Sequence, residues 1–470
     1  MNITCDLLVL GAGPGGYVAA IRGAQLGMKT VCVEKEEVGG VCLNWGCIPS
    51  KALLHAGSAY RQIAQLAAYG ITAGQVNFDP ALLRTQKQKV VQQLVGGVTQ
   101  LLKRNGVEVL RGRGEFTDPQ AMRVHLNAGG EATVSFKKAI VATGSRPAEL
   151  PHLRIDGKNV WGAREALEFE RWPQHLLVVG GGPIGVEFAD FFSCFGVKVT
   201  VVEMLPHLLP TLDKDLGSAL EREFRKRKID VRCQTRVTAL AVKGPHSLEA
   251  TVESEGRTEK LECDQVLVAI GQKPYLEGIG ADRLGLKLDA RGFVEVGPDL
   301  STSRPGIFAI GDVTGRQLLA HKASHEGVVA AEAAAGRKSE MNWRHVPGAV
   351  FTEPEIATVG YTEQEATQAG HQVKVGKFPL GANGKAIATL HTEGFVKVVA
   401  DAKDDTLLGA HIVGHGAADL IAPFTLGLGM EATAEDLAHT IFVHPTVSEC
   451  IGEAALDSDR HALHIYNPKR

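Results

Sequence analysis

One structural device occurs twice in this chain, and the repetition restricts the fold more than any other feature of the sequence. In the first copy an apolar run at 7–10 leads into Gly11-x-Gly13-x-x-Gly16, a helix-like stretch covers 17–26, and a second apolar run at 30–33 ends on Glu34. In the second copy an apolar run at 176–179 leads into Gly180-x-Gly182-x-x-Gly185, a helix-like stretch extends to Phe195, and the run at 198–202 ends on Glu203. The acidic residue follows the first glycine at the same spacing, 23 residues, in both copies. A glycine-rich hexapeptide alone is weak evidence. A strand before it, a helix after it and a carboxylate closing the next strand together specify a βαβ unit that binds a dinucleotide. The glycines permit a tight turn and let backbone N–H groups approach a pyrophosphate at the positive end of the helix, while the carboxylate accepts hydrogen bonds from ribose hydroxyls. Two such units in one chain point to electron transfer between two bound dinucleotides.

Length and charge narrow the rest. A chain of 470 residues is long for one domain, so two to four are expected. With a net charge of −3 and no long basic stretch, nucleic acid is not an expected partner. The run Arg225-Lys226-Arg227-Lys228 reads as the solvated C-terminus of a helix that begins near Asp215, where the helix dipole favours cations. No uninterrupted apolar stretch is long enough to span a membrane, and the N-terminus lacks the basic start and cleavage site of a signal peptide. The expected location is therefore cytoplasmic, where a framework of structural disulfides is not expected. Most of the eight cysteines stand isolated in apolar surroundings and read as inert thiols.

Cofactor preference and further domain structure follow from short segments. Glu203 repels a ribose 2′-phosphate, and the following Met204-Leu205-Pro206-His207-Leu208-Leu209 offers no arginine to hold one, so the second site reads as NAD-binding. A strand at 139–143 closes on Gly144-Ser145-Arg146-Pro147, a turn suited to passing beside a cofactor, and a short strand at 307–310 ends in Gly311-Asp312. The stretch 318–323 opens an alanine-rich helix. From Val346 onward strands at 349–351, 394–399 and 408–413 alternate with helices, which marks a further domain.

Chemistry is concentrated in Gly39-Gly40-Val41-Cys42-Leu43-Asn44-Trp45-Gly46-Cys47-Ile48-Pro49-Ser50-Lys51. A structural zinc site would need a second Cys or His pair nearby, and none is present. A disulfide carries a geometric demand: residues five apart on a regular helix have Cα atoms roughly 8–9 Å apart, beyond the limit of about 7 Å for bridging. The segment must be distorted there, and Gly46 and Pro49 suit that. A helix N-terminus at this point would stabilise a thiolate. Near the other end, in His444-Pro445-Thr446-Val447-Ser448-Glu449, the spacing of Thr446 and Glu449 reads as a capping box for a helix after the proline.

The cysteine segment resembles the redox motif of the class I pyridine nucleotide–disulfide oxidoreductases, and its Cys-Leu-Asn-x-Gly-Cys-Ile-Pro-Ser-Lys wording is similar to the dihydrolipoamide dehydrogenase branch of that family. The resemblance covers nearly the whole chain. It implies an α/β fold of the glutathione reductase type: two Rossmann-like dinucleotide-binding domains plus a C-terminal α+β dimerisation domain. The implied divisions are an FAD-binding domain at 1–148, an NAD-binding domain at 149–275, a return segment at 276–345 that completes the central region, and an interface domain at 346–470 that builds a homodimer. FAD would lie against Gly11, Gly13, Gly16, Glu34, Lys51, Thr143, Gly144, Asp312 and Ala320, and NAD against Gly180, Gly182, Gly185, Glu203 and Gly271. Asp312 would bond the ribityl chain, although a turn or capping role fits its spacing equally well. The helix opening at Ala320 would direct its positive end at the flavin.

The resemblance also assigns chemistry. Cys42 is similar to the interchange thiol that meets the substrate disulfide, and Cys47 to the thiol beside the flavin. Lys51 would pair with Glu187 on the NAD-domain helix. His444 would be the general base, preceding a cis proline, oriented by Glu449 and directed at the partner subunit's cysteines. The implied activity is oxidation of a protein-bound dihydrolipoyl group with NAD+ as acceptor. Its partners would be the lipoylated acyltransferase of a 2-oxoacid dehydrogenase complex or the lipoylated carrier protein of the glycine cleavage system. A glutathione-type reductase would require arginines after the second βαβ strand, and these are missing. Mercuric and thioredoxin reductases would carry a C-terminal redox pair, but no cysteine follows Cys450. A noncatalytic FAD-binding adaptor has no use for Cys42, Cys47, His444 and Glu449 together. Two features depart from the pattern or resist reading: Gln272 stands where many relatives have arginine in Gly-Arg-x-Pro, and the tail 465–470 carries no signal we can interpret.

Overall fold

The computed structural model describes residues 1–467, so the end of the tail 465–470 lies outside the described residues. Strand Asn2–Leu10 alternates buried and exposed residues at its start and is buried on both faces from Leu7 onward. Parallel neighbours explain the change: Thr30–Glu34 lies on one side and Glu131–Val141 on the other. Strand Ile307–Ala309 adds to Glu131–Val141, also in parallel, although more than 150 residues separate them in sequence. Strand Glu108–Asp118 serves two partners. Residues 108–111 run parallel to Thr30–Glu34, while 112–118 enter an antiparallel meander with Ala121–Leu126 and Glu131–Val141.

The second parallel sheet has the order Asp230–Arg232, Lys198–Val202, His175–Val179, Gln265–Val268, Val160–Trp161. An antiparallel trio, Thr235–Gly244, Ser247–Ser254 and Arg257–Cys263, stands beside it. The third sheet is wholly antiparallel, in the order Gly348–Val350, Ile356–Gly360, Leu407–Val413, Phe395–Asp401, Val373–Pro379. Ser145–Pro147 pairs antiparallel with Gln272–Pro274, so the chain leaves for the second sheet and returns from it at one place.

The first glycine-turn helix begins at Pro14, earlier than the stretch 17–26, and the second begins at the matching Pro183. Proline fits the first helical turn because its missing N–H would have had no partner there. The helix Cys47–Gln65 packs on Pro183–Cys194 through Leu53 and Gly57. A Cβ on Gly57 would lie 3.1 Å from Cys194 Sγ, so glycine sets how closely the two helices approach. That contact joins the two glycine-turn units along the helix that starts at Cys47. Among the described residues no helix is long and apolar enough to cross a membrane.

Candidate active site

The redox segment is two helices with a break between them. Gly40–Trp45 ends at Gly46, whose φ of −143° and ψ of −114° leave helical space, and Cys47–Gln65 then begins with Cys47 at its first position. A Cβ on Gly46 would lie 3.0 Å from the carbonyl oxygen of Val41 and 3.3 Å from Cα of Cys42, so the close pass at the break calls for glycine. The break brings Cys42 and Cys47 close together, which a continuous helix would prevent. Both are thiols in this structure. Proximity makes the two unlike. Cys47 beside it, together with burial, pushes the Cys42 thiol far up, whereas the neighbouring Cys42 and the Lys51 cation hold Cys47 below the ordinary thiol range. The position at a helix N-terminus works in the same direction.

The other cysteines behave oppositely. Burial pushes Cys5, Cys233, Cys263 and Cys450 up to about 12 and Cys194 to about 11, and raises Cys32 as well. Cys47 is the thiol in this chain prepared to ionise.

Lys51 lies one helical turn beyond Cys47, and its Nζ donates to both carboxylate oxygens of Glu187 at 2.9 Å. Glu187 is buried on Pro183–Cys194 and also accepts from the backbone N–H of Phe351 at 3.0 Å, with Lys51 Nζ 4.5 Å from the Phe351 ring centre. The lysine is thus held by the carboxylate of Pro183–Cys194 while it acts on the thiol at the start of its own helix. Lys51→Met removes the cation that helps lower Cys47. The pH at which the Cys47 thiolate forms should rise in this variant, measured as the pH dependence of thiolate–flavin absorbance in reduced holoenzyme. An unchanged profile would mean that Lys51 does not act on Cys47.

The glycine turns fit bound dinucleotides, as the space around each glycine shows. A Cβ on Gly11 would lie 2.3 Å from the carbonyl oxygen of Ala142, and one on Gly16 1.9 Å from the carbonyl oxygen of Gly11. The same holds in the second turn for Gly180, 2.4 Å from the carbonyl oxygen of Ala269, and for Gly185, 2.0 Å from that of Gly180. The outer glycines therefore serve packing. The middle ones do not: a Cβ on Gly13 would meet only Gly40 Cα, at 4.0 Å, and one on Gly182 nothing within 4 Å. Open backbone at the middle glycine is what a pyrophosphate requires. Gly144 and Gly271 have positive φ and similarly open surroundings. Thr143 Oγ1, next to the first turn, is buried without a protein partner, as a group that meets a ligand would be.

The two carboxylates are placed alike. Glu34 accepts from the N–H of Ala12 at 2.7 Å and of Glu36 at 2.8 Å, and Glu203 from Gly181 at 2.6 Å and Leu205 at 2.8 Å. Arg232, whose carbonyl accepts from the N–H of Glu203, has its guanidinium engaged by Asp230 and Glu259 at 2.8 and 2.7 Å. It is therefore committed elsewhere. Glu203→Ala combined with Met204→Arg should lower kcat/KM for NADH and raise the NADPH-to-NADH preference about tenfold or more, read from steady-state kinetics. A wild-type enzyme that already prefers NADPH contradicts this reading of the second site.

Asp312 lies in a turn of 3-10 helix, Gly311–Thr314, and its carboxylate accepts from Ser145 Oγ at 2.7 Å. Ala320 is the first residue of the helix Ala320–Ala334. At the far end of the chain the peptide bond before Pro445 is cis, and His444 Nδ1 lies 2.9 Å from Oε1 of Glu449. The capping box expected of Thr446 and Glu449 is only half formed. Glu449 Oε2 accepts from the N–H of Thr446 at 2.9 Å, but Thr446 Oγ1 donates to the carbonyl of Val443 at 2.6 Å, and the helix Glu449–Asp457 is entered from Ser448. With Glu449 itself first in the helix, Thr446 lies too far back to cap it. Glu449 is left with one oxygen on the backbone and one on the imidazole. The Thr446 N–H first, and then His444, hold its carboxyl below the usual range. The His444 side chain is 80% exposed, and Ile441 and Val443, just before it in the chain, are exposed as well.

Three groups near these residues carry no signal in local sequence: Ser145 on Asp312, the Phe351 N–H on Glu187, and Arg61, which bonds Asp190 at 2.7 Å and Glu353 at 3.0 Å across the domain boundary. Each bond joins residues well over a hundred positions apart, and only the three-dimensional structure pairs them.

Comparison with known proteins agrees with this geometry. Residues 5–327 match the family model described as pyridine nucleotide-disulphide oxidoreductase, and residues 346–455 match the dimerisation domain of the same family. The chain is 45% identical to the dihydrolipoyl dehydrogenase of Thermus scotoductus over 467 residues, covering 99% of each chain. It is 43% identical to that of Zymomonas mobilis over 462 residues, covering 98% of this chain and 99% of the relative. Among solved structures, LpdA from Mycobacterium tuberculosis superposes with a TM-score of 0.88 at 29% identity, covering 96% of this chain and 99% of that one. The HOCl-induced flavoprotein disulfide reductase RclA from Escherichia coli superposes at 0.84 with 26% identity, covering 96% and 99%. With the cysteine pair, both glycine turns and the C-terminal domain in place, the chain belongs to the pyridine nucleotide–disulphide oxidoreductase family.

Proposed function

We propose that this protein is a dihydrolipoyl dehydrogenase that reoxidises a protein-bound dihydrolipoyl group through Cys42 and Cys47 and passes the electrons to NAD+. The cysteine pair carries the reading: Cys47 is held ready to ionise at a helix N-terminus, and the break at Gly46 sets Cys42 close beside it. In the oxidised enzyme Cys42 and Cys47 form a disulfide. His444, from the partner subunit, takes the proton of one lipoyl thiol, and the resulting sulfur bonds to Cys42 Sγ. The Cys42–Cys47 bond breaks, and Cys47 leaves as the thiolate that its surroundings favour. The second lipoyl thiol loses its proton and closes the lipoyl disulfide, releasing Cys42, which takes a proton. Bound FAD supplies the two-electron relay from the Cys47 side to NAD+, which restores the enzyme disulfide. Glu449 holds Nδ1 of His444, so that Nε2 is the nitrogen free to take the proton.

The residues that would hold FAD are Gly11, Gly13, Gly16, Glu34, Lys51, Thr143, Gly144, Asp312 and Ala320, and those for NAD are Gly180, Gly182, Gly185, Glu203 and Gly271. In this account residues 1–148 and 276–345 form the FAD-binding unit, 149–275 the NAD-binding unit and 346–470 the interface of a homodimer. The lipoyl group comes from an acyltransferase of a 2-oxoacid dehydrogenase complex or from the glycine-cleavage carrier protein. Six unpaired, pKa-raised cysteines suit a reducing cytoplasm. The test is a pair of steady-state assays on purified holoenzyme, dihydrolipoamide with NAD+ and glutathione disulfide with NADPH. Turnover in the first alone supports the proposal, and turnover in the second alone assigns a glutathione-type reductase instead.

A further inference from the structure

An ion pair with no exposed side-chain surface lies beneath the cofactor turn. Lys322 Nζ and Glu326 Oε2, one helical turn apart on Ala320–Ala334, are 3.1 Å from each other, and both side chains are 0% exposed. One further bond from each meets at Gly311. Glu326 Oε2 accepts from the N–H of Gly311 at 2.7 Å, and Lys322 Nζ donates to the carbonyl of Gly311 at 3.1 Å. Thr314, at the end of the same turn, donates to that carbonyl at 2.8 Å and receives Lys322 at 3.4 Å. The second carboxylate oxygen of Glu326 accepts from Trp343 Nε1 at 2.8 Å.

Stability alone explains this arrangement poorly. Taking two charges out of water is costly, and replacing a buried pair with apolar residues is often neutral or stabilising. What the pair does is geometric. It holds Gly311 by its N–H and its C=O at once, from a helix packed so closely on Pro14–Gln25 that a Cβ on Gly327 would lie 2.4 Å from the carbonyl oxygen of Gly15. The next residue is Asp312. Gly311, Val313 and Thr314 are buried, and Asp312 is the member of the turn left partly exposed, with its carboxylate against Ser145.

We propose that Lys322 and Glu326 are positioning residues for the cofactor: they fix the Gly311–Thr314 turn and so aim the Asp312 carboxylate into the FAD site. This rests on the FAD reading of the first glycine-turn domain. A purely structural pair would change melting temperature alone. A positioning pair acts through Asp312, so its effect and that of Asp312→Asn should not add.

The experiment compares holoenzyme of wild type, Lys322→Met/Glu326→Gln, Asp312→Asn and the triple variant. FAD release is followed by free-flavin fluorescence after dilution, and the flavin midpoint potential and apoprotein melting temperature are measured alongside. The double variant should release FAD about tenfold faster or more, the scale usual when an outer partner of a binding group is lost, with a shifted potential. Asp312→Asn should do the same, and the triple variant should be no worse than Asp312→Asn. Should the buried variants fold poorly, Trp343→Phe, which leaves the ion pair intact, should move FAD release in the same direction by less. Wild-type release with a lowered melting temperature overturns the proposal, as does full additivity in the triple variant. A wild-type protein that neither contains nor takes up FAD overturns the underlying FAD reading instead.

Discussion

Cys47→Ser is expected to abolish both dihydrolipoamide turnover and the long-wavelength thiolate–flavin absorbance of the reduced holoenzyme, whereas Cys42→Ser should abolish turnover and keep the absorbance. The difference follows from the unlike environments of the two sulfurs. Cys47 is the thiol whose pKa the site lowers, through the neighbouring Cys42 and the Lys51 cation, so the absorbing thiolate resides there. A serine at 42 leaves the Lys51 cation and the helix N-terminus in place, so the thiolate keeps that support. Without the Cys42 sulfur, however, the substrate has no disulfide to attack. Because the Cys47 pKa is depressed, the absorbance should persist to pH values below the ordinary thiol range and fade only as pH falls through the lowered value. Normal turnover in Cys42→Ser would remove Cys42 as the interchange thiol.

His444→Gln should slow dihydrolipoamide turnover by about 10²–10⁴-fold, the usual contribution of a general base, with NADH-dependent reduction of an artificial acceptor nearly unchanged. Glutamine can still bond Glu449, but it cannot accept the lipoyl proton. The glycine turns, Glu34 and Glu203 are not among the groups His444 bonds, so flavin and nicotinamide binding should survive. The carboxyl of Glu449, held low by the Thr446 N–H and then by His444, stays ionised through the neutral range, and its hold on the imidazole weakens only as pH falls through that lowered value. Loss of both activities in His444→Gln would make His444 a structural residue.

What the sequence reveals here is what fixed local spacing carries. Gly11 to Glu34 and Gly180 to Glu203 each lie within one βαβ unit, and Cys42, Cys47 and Lys51 follow one another along a single broken helix. The need for a break between the cysteines follows from helix geometry alone, and Gly46 provides it. Boundaries were less legible. The first strand begins at Asn2 rather than residue 7 because its early residues alternate, and the first glycine-turn helix begins at Pro14 rather than residue 17. Thr446 looked like half of a capping box because residue spacing cannot show that its hydroxyl turns back to Val443. Least legible were bonds formed across the chain: Asp312 with Ser145, Glu187 with Phe351, and the Lys322–Glu326 pair, whose i,i+4 spacing resembles a surface salt bridge until burial shows otherwise.

The central claim, that the Cys42–Cys47 disulfide is where substrate electrons enter, is tested most directly by anaerobic titration of oxidised holoenzyme with dihydrolipoamide. The first equivalent should generate two thiols reactive to a thiol reagent and the long-wavelength absorbance, with the main flavin band largely retained. Subsequent NAD+ should discharge both and yield NADH. Bleaching of the flavin by the first equivalent, without new thiols or long-wavelength absorbance, would contradict the account.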